Sequence, residues 1–167
     1  MTIRLLDIIE ETTADGPGLR TSIYCSGCYH KCPGCHNPES WDINNGKIID
    51  IEDILNTILA DEFSDVTFSG GDPMFQVDAF TELAKKIKEN SNKTIWCYTG
   101  FRYERILEDK KMSTLLKYID VLVDGPFIQS LADKSLRFRG SSNQRIIYLN
   151  EQITDEIPGT VSIKKFK

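Results

Sequence analysis

A group of closely spaced cysteines constrains this chain more than any other feature. The stretch 26–36 is SGCYHKCPGCH and holds Cys28, Cys32 and Cys35 at the spacing C-x3-C-x2-C. A single buried cysteine packs as a small hydrophobic residue and needs no neighbouring thiol. Thiols this dense are instead typical of a soft metal centre, either an iron–sulfur cluster or zinc. The rest of the chain is therefore expected to be arranged around holding this stretch.

Composition indicates an ordinary globular domain and argues against several classes of protein. The 167 residues, of which 40% are hydrophobic, are expected to form a single domain, 1–167, with a substantial core. The net charge of −5 argues against a nucleic-acid partner, and the basic tail 164–167 is expected to be a solvated terminus. No apolar run is long enough to span a bilayer and the N-terminus is too acidic for a signal peptide, so we expect a cytoplasmic protein without a membrane partner. The odd number of cysteines, five, favours a metal site over a disulfide framework.

Apolar segments typical of strands alternate with helical patterns along the chain. The residues favour strands at 3–9, 21–25, 66–69, 94–98, 120–124, 145–149 and 160–163. Helical patterns lie at 51–59, with Asp50 as N-cap, at about 80–90, around 103–107 and at 114–118. Residues 26–46 form the loop that carries the cysteines. This order predicts an α/β fold with a mainly parallel sheet.

Four glycine-rich or polar segments follow the carboxyl ends of successive predicted strands. They are the cysteine loop, Gly70-Gly71-Asp72, Tyr98-Thr99-Gly100 and Asp124-Gly125. Ligands of parallel α/β folds bind outside those strand ends. We therefore expect the four segments to meet, with the metal centre beside a glycine-rich pocket.

Zinc and an iron–sulfur cluster make different demands on these cysteines. With Cys25 included, the chain offers two C-x2-C pairs, the donor set of a four-thiolate zinc site. Only three residues separate the pairs, whereas zinc ribbons separate theirs by about a dozen or more, and Cys25 ends a strand-like segment where a packed thiol is expected. Three thiolates would leave one iron of a cubane open, since the distant Cys97 is expected in the core. An iron–sulfur cluster is the favoured interpretation and zinc the alternative.

Several motifs in a fixed order resemble a known family. The three-cysteine motif after an early strand, followed by a Gly-Gly-acid turn after the next, resembles the radical S-adenosylmethionine superfamily. Within it, the chain is similar to the activating enzymes of anaerobic ribonucleoside-triphosphate reductases over about residues 4–149, in the segments DGPGLR (15–20), CPGCHNPESW (32–41), SGGDP (69–73), WCYTGF (96–101), DVLVDGPF (120–127) and LRFRGSSNQR (136–145). Gly34 departs from the aromatic residue that many superfamily members carry before the last cysteine, and Pro-Gly-Cys is the variant expected in this family.

The resemblance implies a reaction and its cofactors. Cys28, Cys32 and Cys35 would bind one [4Fe-4S] cluster, whose open iron would hold the amino and carboxylate groups of S-adenosylmethionine. One electron would cleave this cofactor to methionine and a 5′-deoxyadenosyl radical, which would take a hydrogen atom from a backbone glycine of the partner, the anaerobic ribonucleoside-triphosphate reductase. A flavodoxin- or ferredoxin-like donor would supply the electron, since the step needs a low cluster potential. No side chain is expected to be catalytic, because cluster and cofactor carry the chemistry.

The resemblance also implies roles for other residues. Contacts to S-adenosylmethionine are expected from Gly34, His36, Gly70, Gly71, Asp72, Thr99 and Asp124. The two adjacent glycines would permit close backbone approach, and backbone carbonyls or the Asp72 carboxylate would accept hydrogen bonds from the amino group. Residues expected to face the partner are Asp15, Arg20 and Arg139, the last in a basic loop that either closes the pocket or forms a docking surface. His30 is expected to face solvent.

The small number of predicted strands limits how far the sheet can close. With fewer than eight strands, we expect an incomplete barrel of the (β/α)6 type with short helices, and a shallow site whose open side the partner covers. Two other functions are alternatives. One is an activase of another glycyl-radical enzyme, of the formate-lyase type, which shares the DGPG and cysteine motifs but is usually longer and lacks SSNQR. The other is a non-catalytic zinc-binding module.

Overall fold

The described residues contribute eight strands to one sheet. In a computed structural model, which describes residues 1–150, 153, 157 and 160–163, the strands are hydrogen-bonded in the order β3-β1-β2-β4-β5-β6-β7-β8. Their bounds are Thr2–Thr12 (β1), Arg20–Cys25 (β2), Lys47–Asp50 (β3), Asp65–Gly70 (β4), Ile95–Tyr98 (β5), Val121–Asp124 (β6), Arg145–Tyr148 (β7) and Val161–Ser162 (β8). The basic tail 164–167 lies outside the described residues.

Parallel strands occupy the centre of the sheet and antiparallel pairings flank them. β2, β4, β5 and β6 run parallel, as do β7 and β8. β1 is antiparallel to both β2 and β3, and β7 is antiparallel to β6. The α/β class is thus confirmed, with a mixed sheet. The short turn around Asp15 and Gly16 explains the antiparallel β1–β2 pair, because a parallel pair needs a crossover of a dozen or more residues.

Among the strands of the described residues, β3 alone was not predicted from the sequence pattern. Its four residues pair with β1 at the edge of the sheet, and only Ile48 and Ile49 among them are apolar. The described residues therefore form eight strands, so a shortage of strands does not prevent closure of the sheet. β3 and β8 are the two edges of the sheet that the described residues form, and an incomplete barrel stays a prediction.

Four helices connect the parallel strands: α1 (Ile51–Ala60), α2 (Val77–Asn90), α3 (Tyr103–Leu107) and α4 (Lys110–Leu116). α1 begins where predicted, because the Asp50 carboxylate accepts a hydrogen bond from the Glu52 N–H at 2.8 Å. α4 begins earlier than predicted, because Asp109 caps it by accepting from the N–H groups of Lys111 and Met112. In the part of the chain that the structure describes, no helix is both long and apolar enough to cross a membrane.

Apolar side chains cover both faces of the central strands. On one face, Phe68 of β4 belongs to a cluster with Phe80 and Leu83 of α2. On the other, Trp96 of β5 and Val121 of β6 form a second cluster with residues of β7. Successive side chains of a strand point to opposite faces, which explains the nearly continuous apolar sequence of β5 and β6. Glycine and polar residues interrupt that sequence only at the strand ends, and the candidate site lies there.

Candidate metal centre

The carboxyl ends of the parallel strands open into one cavity of about 350 Å³. All four segments that were expected to meet contribute to its wall. They supply the three loop cysteines, the turn Gly70-Gly71-Asp72, the pair Thr99-Gly100 and Gly125. The predicted convergence of these loops is confirmed.

Backbone hydrogen bonds fold the cysteine loop back on itself. The Cys28 N–H donates to the Trp41 carbonyl at 3.1 Å, which ties the two ends of the loop together. The Cys35 N–H donates to the Cys32 carbonyl at 3.1 Å and closes a tight turn between the last two thiols. These bonds keep the loop compact, and its regular structure is limited to two short 3-10 helices at Pro38–Ser40 and Ile43–Asn45.

The three predicted ligands share the cavity wall. Cys28, Cys32 and Cys35 all line it, and each is partly exposed. Three soft thiolate donors at a pocket wall fit an iron–sulfur cluster. Burial raises the pKa of the Cys28 thiol to about 11, so metal binding must displace a proton there. Among the described residues, no three His, Cys, Asp or Glu side chains are gathered as a site for a single metal ion.

The other two cysteines lie in the apolar core. Cys25 and Cys97 are fully buried among aliphatic and aromatic side chains and do not line the cavity. Burial raises the pKa of both thiols well above the ordinary value. Their interpretation as packed core residues is confirmed, and Cys25 is not placed to complete a four-thiolate site.

The glycine turn after β4 lies directly against the start of the cysteine loop. Gly70 has a φ of +100°, and a Cβ there would lie 2.4 Å from the Cys25 nitrogen. A Cβ on Gly71 would lie 2.6 Å from the Gly27 carbonyl oxygen. The Gly71 N–H donates to the Cys25 carbonyl at 2.7 Å, and the Asp72 N–H donates to the Gly27 carbonyl at 2.9 Å. The glycines therefore permit close approach between two segments of the chain itself, in addition to the predicted close approach of the backbone to a cofactor.

The Asp72 carboxylate is surrounded by protein donors. The residue is 1% exposed, and its Oδ1 accepts from the Met74 N–H at 2.9 Å. Its Oδ2 lies 2.7 Å from His30 Nε2 and accepts from the Thr99 hydroxyl and the Gly100 N–H, each at 2.9 Å. Of the two acceptors predicted for the amino group of a cofactor, the carboxylate is thus already engaged.

The prediction that His30 faces solvent is wrong. Its side chain is 17% exposed and lines the cavity, with its ring edge-on to Phe101 at 4.5 Å between centroids. No local pattern signals this placement, because the partners Asp72 and Phe101 are distant in the chain. Gly100 is the sequence feature related to this placement, because a Cβ there would lie 2.5 Å from the imidazole ring.

Gly34 and His36, the two neighbours of Cys35, differ in whether they line the cavity. His36 lines the cavity, with its ring 5.2 Å from that of Phe127 between centroids. Gly34 is not among the lining residues: it has a φ of +78°, and a Cβ there would lie 2.8 Å from the Gln129 amide carbon. Gly34 therefore serves the turn, and Gln129 covers it.

Asp124 ends β6, but its carboxylate does not line the cavity. It is 1% exposed and accepts from the Tyr103 N–H at 2.8 Å and from Arg145 Nε at 3.1 Å. Arg145 also pairs with Glu104, and hydrogen bonds to Asp124 and Glu104 raise the pKa of its guanidinium. This ion-pair network removes Asp124 from the wall, where the next residue, Gly125, stands instead.

Arg20 is a core residue, so its prediction as a partner-facing charge is wrong. It is 2% exposed, and its guanidinium lies 5.4 Å from the centre of the Trp96 ring. Nη1 donates to the Val66 carbonyl at 2.7 Å, Nε to the Pro17 carbonyl at 3.0 Å and Nη2 to the Thr94 hydroxyl at 3.1 Å. The side chain holds the DGPG turn to β4 and β5, and burial lowers its pKa.

Asp15 lines the cavity together with two tyrosines, Tyr98 from a segment that was expected there and Tyr24, which was not predicted. Its carboxylate accepts from the Ser22 hydroxyl at 2.9 Å and from the Tyr24 hydroxyl. Burial and the bond to Asp15 raise the pKa of Tyr24 to about 12, and burial raises that of Tyr98. Both phenols are therefore neutral at physiological pH. A tyrosine within a strand resembles an ordinary core residue in sequence, so no pattern distinguishes Tyr24.

The basic loop before β7 contributes to the cavity wall. Gly140 and Gln144 line the cavity, and the Gln144 amide accepts from the Gly140 N–H at 2.8 Å and donates to the Gly125 carbonyl at 3.1 Å. Arg139 is partly buried, and its Nη1 donates to the Gln144 carbonyl at 3.3 Å. Of the two predicted roles for this loop, the geometry favours pocket closure.

Comparison with known protein families agrees with an iron–sulfur centre in this cavity. A family model described as a 4Fe-4S single cluster domain matches residues 14–147, a range that includes every cavity residue named above. Fold, thiols and match together define the class: a single-cluster iron–sulfur domain of α/β architecture.

Curated relatives narrow the class to one family. The chain is 40% identical to the anaerobic ribonucleoside-triphosphate reductase-activating protein of Vibrio cholerae over 140 residues, which is 79% of this chain and 89% of the relative. Proteins of the same name match from Haemophilus influenzae (38% over 142 residues, 79% and 89%) and Escherichia coli (37% over 143 residues, 81% and 92%). The chain belongs to the family of anaerobic ribonucleoside-triphosphate reductase-activating proteins.

Proposed function

We propose that this chain activates an anaerobic, class III ribonucleoside-triphosphate reductase by reductive cleavage of S-adenosylmethionine. Cys28, Cys32 and Cys35 would hold one [4Fe-4S] cluster. When bound and supplied with one electron, the cluster and S-adenosylmethionine would give methionine and a 5′-deoxyadenosyl radical, which would take a hydrogen atom from a backbone glycine of the reductase to give 5′-deoxyadenosine and a glycyl radical. The names of the relatives support this choice of partner over a formate-lyase type of enzyme.

The donor set is the observation that carries the proposal. Three thiols line the cavity, and no fourth cysteine stands among the described residues of its wall. A four-iron cluster held by three thiolates has one iron without a protein thiolate, and that iron can take a substrate. A purely structural zinc site would instead use all four coordination positions.

The proposed tasks of the chain's own residues are binding, orientation and exclusion of water. Gly70 and Gly71 line the cavity, and their backbone carbonyls are the proposed acceptors for the amino group, because the Asp72 carboxylate is engaged. His36 and Thr99 are proposed as further contacts. Gly34 and Asp124 are not retained, because neither lines the cavity. The cofactor would carry the bond-breaking chemistry.

The open side of the cavity is proposed to receive the glycine loop of the reductase. Asp15, which is half-exposed and lines the cavity, remains the proposed contact to that loop, with Arg139 in the loop that closes the pocket. The sheet is proposed to curve into an incomplete barrel around this opening. A flavodoxin- or ferredoxin-like protein would supply the electron, because the cleavage needs a cluster potential near the low end of the known range.

Anaerobic reconstitution tests the proposal. The chain is loaded with iron and sulfide, reduced in the presence of S-adenosylmethionine and assayed for 5′-deoxyadenosine. With the anaerobic reductase added, electron paramagnetic resonance should show a glycyl radical on that partner. A formate-lyase-type enzyme in its place should give none. A cluster that forms but never cleaves the cofactor would defeat the proposal, and a radical on the wrong partner would defeat its choice of substrate.

A further inference from the structure

Alternate residues of the cysteine loop face opposite sides. Cys28, His30 and Cys32 line the cavity described above, whereas Tyr29 and Lys31 line a separate cavity of about 500 Å³. His30 therefore stands between two thiols and on their side of the loop. A contact that holds its ring in place therefore restrains the loop backbone between the two thiols.

The His30 ring occupies a slot that distant parts of the chain provide. Its centroid lies 4.5 Å from that of Phe101 and 5.3 Å from that of Phe75. Gly100 supplies the space, because a Cβ there would lie 2.5 Å from the ring Cδ2 and 2.7 Å from Nε2. A side chain that merely passed over the cavity would need neither this space nor these neighbours.

One carboxylate oxygen joins this ring to two other loops. Asp72 Oδ2 lies 2.7 Å from His30 Nε2 and accepts from the Thr99 hydroxyl and the Gly100 N–H. Oδ1 accepts from the Met74 N–H within its own turn. An ionised carboxylate offers about two acceptor sites on each oxygen, so three donors saturate Oδ2, while Oδ1 has one donor and lies buried within its own turn. The cysteine loop, the β4 turn and the β5 end thus meet at a single buried group.

We propose that His30 is a positioning residue: through Asp72 it ties the cysteine loop to the β4 turn and the β5 end, and so fixes the cluster against the cofactor-binding turn. This inference rests on the proposed cluster ligands. The Asp72 Oδ2 atom then serves the protein's own loops, and the backbone carbonyls of the turn are the proposed acceptors for the amino group of the cofactor. Loss of the tie leaves all three thiols in place but frees the loop that carries them.

The rate at which the reconstituted full-length protein releases iron measures how firmly the His30–Asp72 contact holds the cysteine loop. His30→Ala should load with iron like the wild type and then lose it to a chelator several-fold faster under anaerobic conditions. His30→Gln should restore slow release, because its Nε2 can reach the position of the imidazole Nε2, while the shorter His30→Asn should not. Gly100→Ala should match His30→Ala, because it fills the slot from the β5 side without changing the cysteine loop.

Lys31→Ala is the matched control. It truncates the next side chain of the same loop, which is exposed and lines the other cavity, and leaves His30 bonded to Asp72, so its iron release should stay near the wild-type rate. The spectrum of the reduced cluster should respond to S-adenosylmethionine at higher concentration in His30→Ala and at the normal concentration in His30→Gln. Equal destabilisation of the fold in all variants would not produce this pattern.

Alkylation of the full chain before reconstitution gives a second measurement that needs no cluster. With iodoacetamide and mass spectrometry, Cys28 and Cys32 should react several-fold faster in His30→Ala, while the buried Cys25 and Cys97 stay unreactive and report that the core is intact. If His30→Ala releases iron and is alkylated at the wild-type rates, the proposed role of His30 is wrong, even if the enzyme cleaves its cofactor. If the wild type forms no active cluster, the proposed function fails, and the alkylation rates still decide the role of His30.

Discussion

The loop after β2 and the sheet directly beneath it both hold cysteines, in opposite surroundings. Cys25, the last residue of β2, is fully buried in the apolar core. Cys28, three residues later, is half-buried and lines the cavity. Tyr24 also lines the cavity, and successive side chains of a strand point to opposite faces, so Cys25 must point into the core.

β5 repeats the arrangement. Its last residue, Tyr98, lines the cavity, while the preceding Cys97 is fully buried in the core. Two strands thus present tyrosine to the site and cysteine to the core. The spacing of the cysteines identifies the candidate metal ligands. The alternation of side chains along each strand decides which of these thiols face the cavity. Only thiols beyond the strand end are free to turn toward the cavity.

Removing one thiol from each region gives the largest expected difference, which is in the amount of cluster bound per chain. Cys28→Ala should hold no stable [4Fe-4S] cluster after anaerobic reconstitution, because two thiolates leave two irons without a protein ligand. Cys25→Ala should keep the cluster, since its side chain lies in the core. Iron and sulfide content per chain measures both.

Cys97→Ala serves as a second core control for this experiment. It removes a buried thiol from another strand and should also keep the cluster. A folded Cys25→Ala protein that lost its iron, while Cys97→Ala retained it, would return Cys25 to the ligand set and end the distinction between the two regions.

The free energy of unfolding should show the opposite contrast, because replacing a core thiol should lower it more than replacing a loop thiol. Cys97→Ser places a hydroxyl in the core, and the Tyr98 carbonyl lies 3.8 Å from the present sulfur, beyond normal hydrogen-bond reach. We expect a loss of about 1–3 kcal/mol in the free energy of unfolding. Cys32→Ser, on the partly exposed loop, should change it by less than about 0.5 kcal/mol. Urea unfolding of the metal-free proteins gives both values, and similar losses in the two would contradict the comparison.

The parts of the fold that follow from local pattern could be predicted from the sequence. Apolar runs gave the central strands, Asp50 gave the start of α1, and glycine after successive strands gave the convergence of loops on one cavity. β3 could not be found in this way. Its pairing with β1 defines it, and its two isoleucines run directly into the pattern of α1.

The missed site residues depend on distant partners. Arg20 was expected at the surface, as a charged residue beside a turn usually is, but its acceptors on Val66 and Thr94 lie 46 and 74 residues further along the chain. His30 was expected in solvent, and its partner Asp72 is 42 residues away. Hydrophobic periodicity carries no information about such bonds. A polar side chain is buried when its partners are present, and those become visible only with the tertiary structure.

The smallest expected effect concerns alkaline pH and the two core thiols. Burial raises the pKa of Cys25 and Cys97 well above the ordinary value, whereas an unfolded thiol loses its proton near pH 8.5. Above about pH 8.5 the unfolded chain therefore binds fewer protons than the folded one, so stability falls as pH rises, by at most about 1.4 kcal/mol per pH unit for each thiol.

Cys97→Ala removes one of these two groups. The free energy of unfolding of the metal-free variant should thus decline less steeply than that of the wild type between about pH 8.5 and 10, while the two slopes agree near pH 7, where both states keep the proton. Parallel curves over the whole range, offset only by the lost packing of the side chain, would show that Cys97 titrates alike in both states. The core would then be open to solvent at that thiol, and the contrast with the cysteine loop would rest on geometry alone.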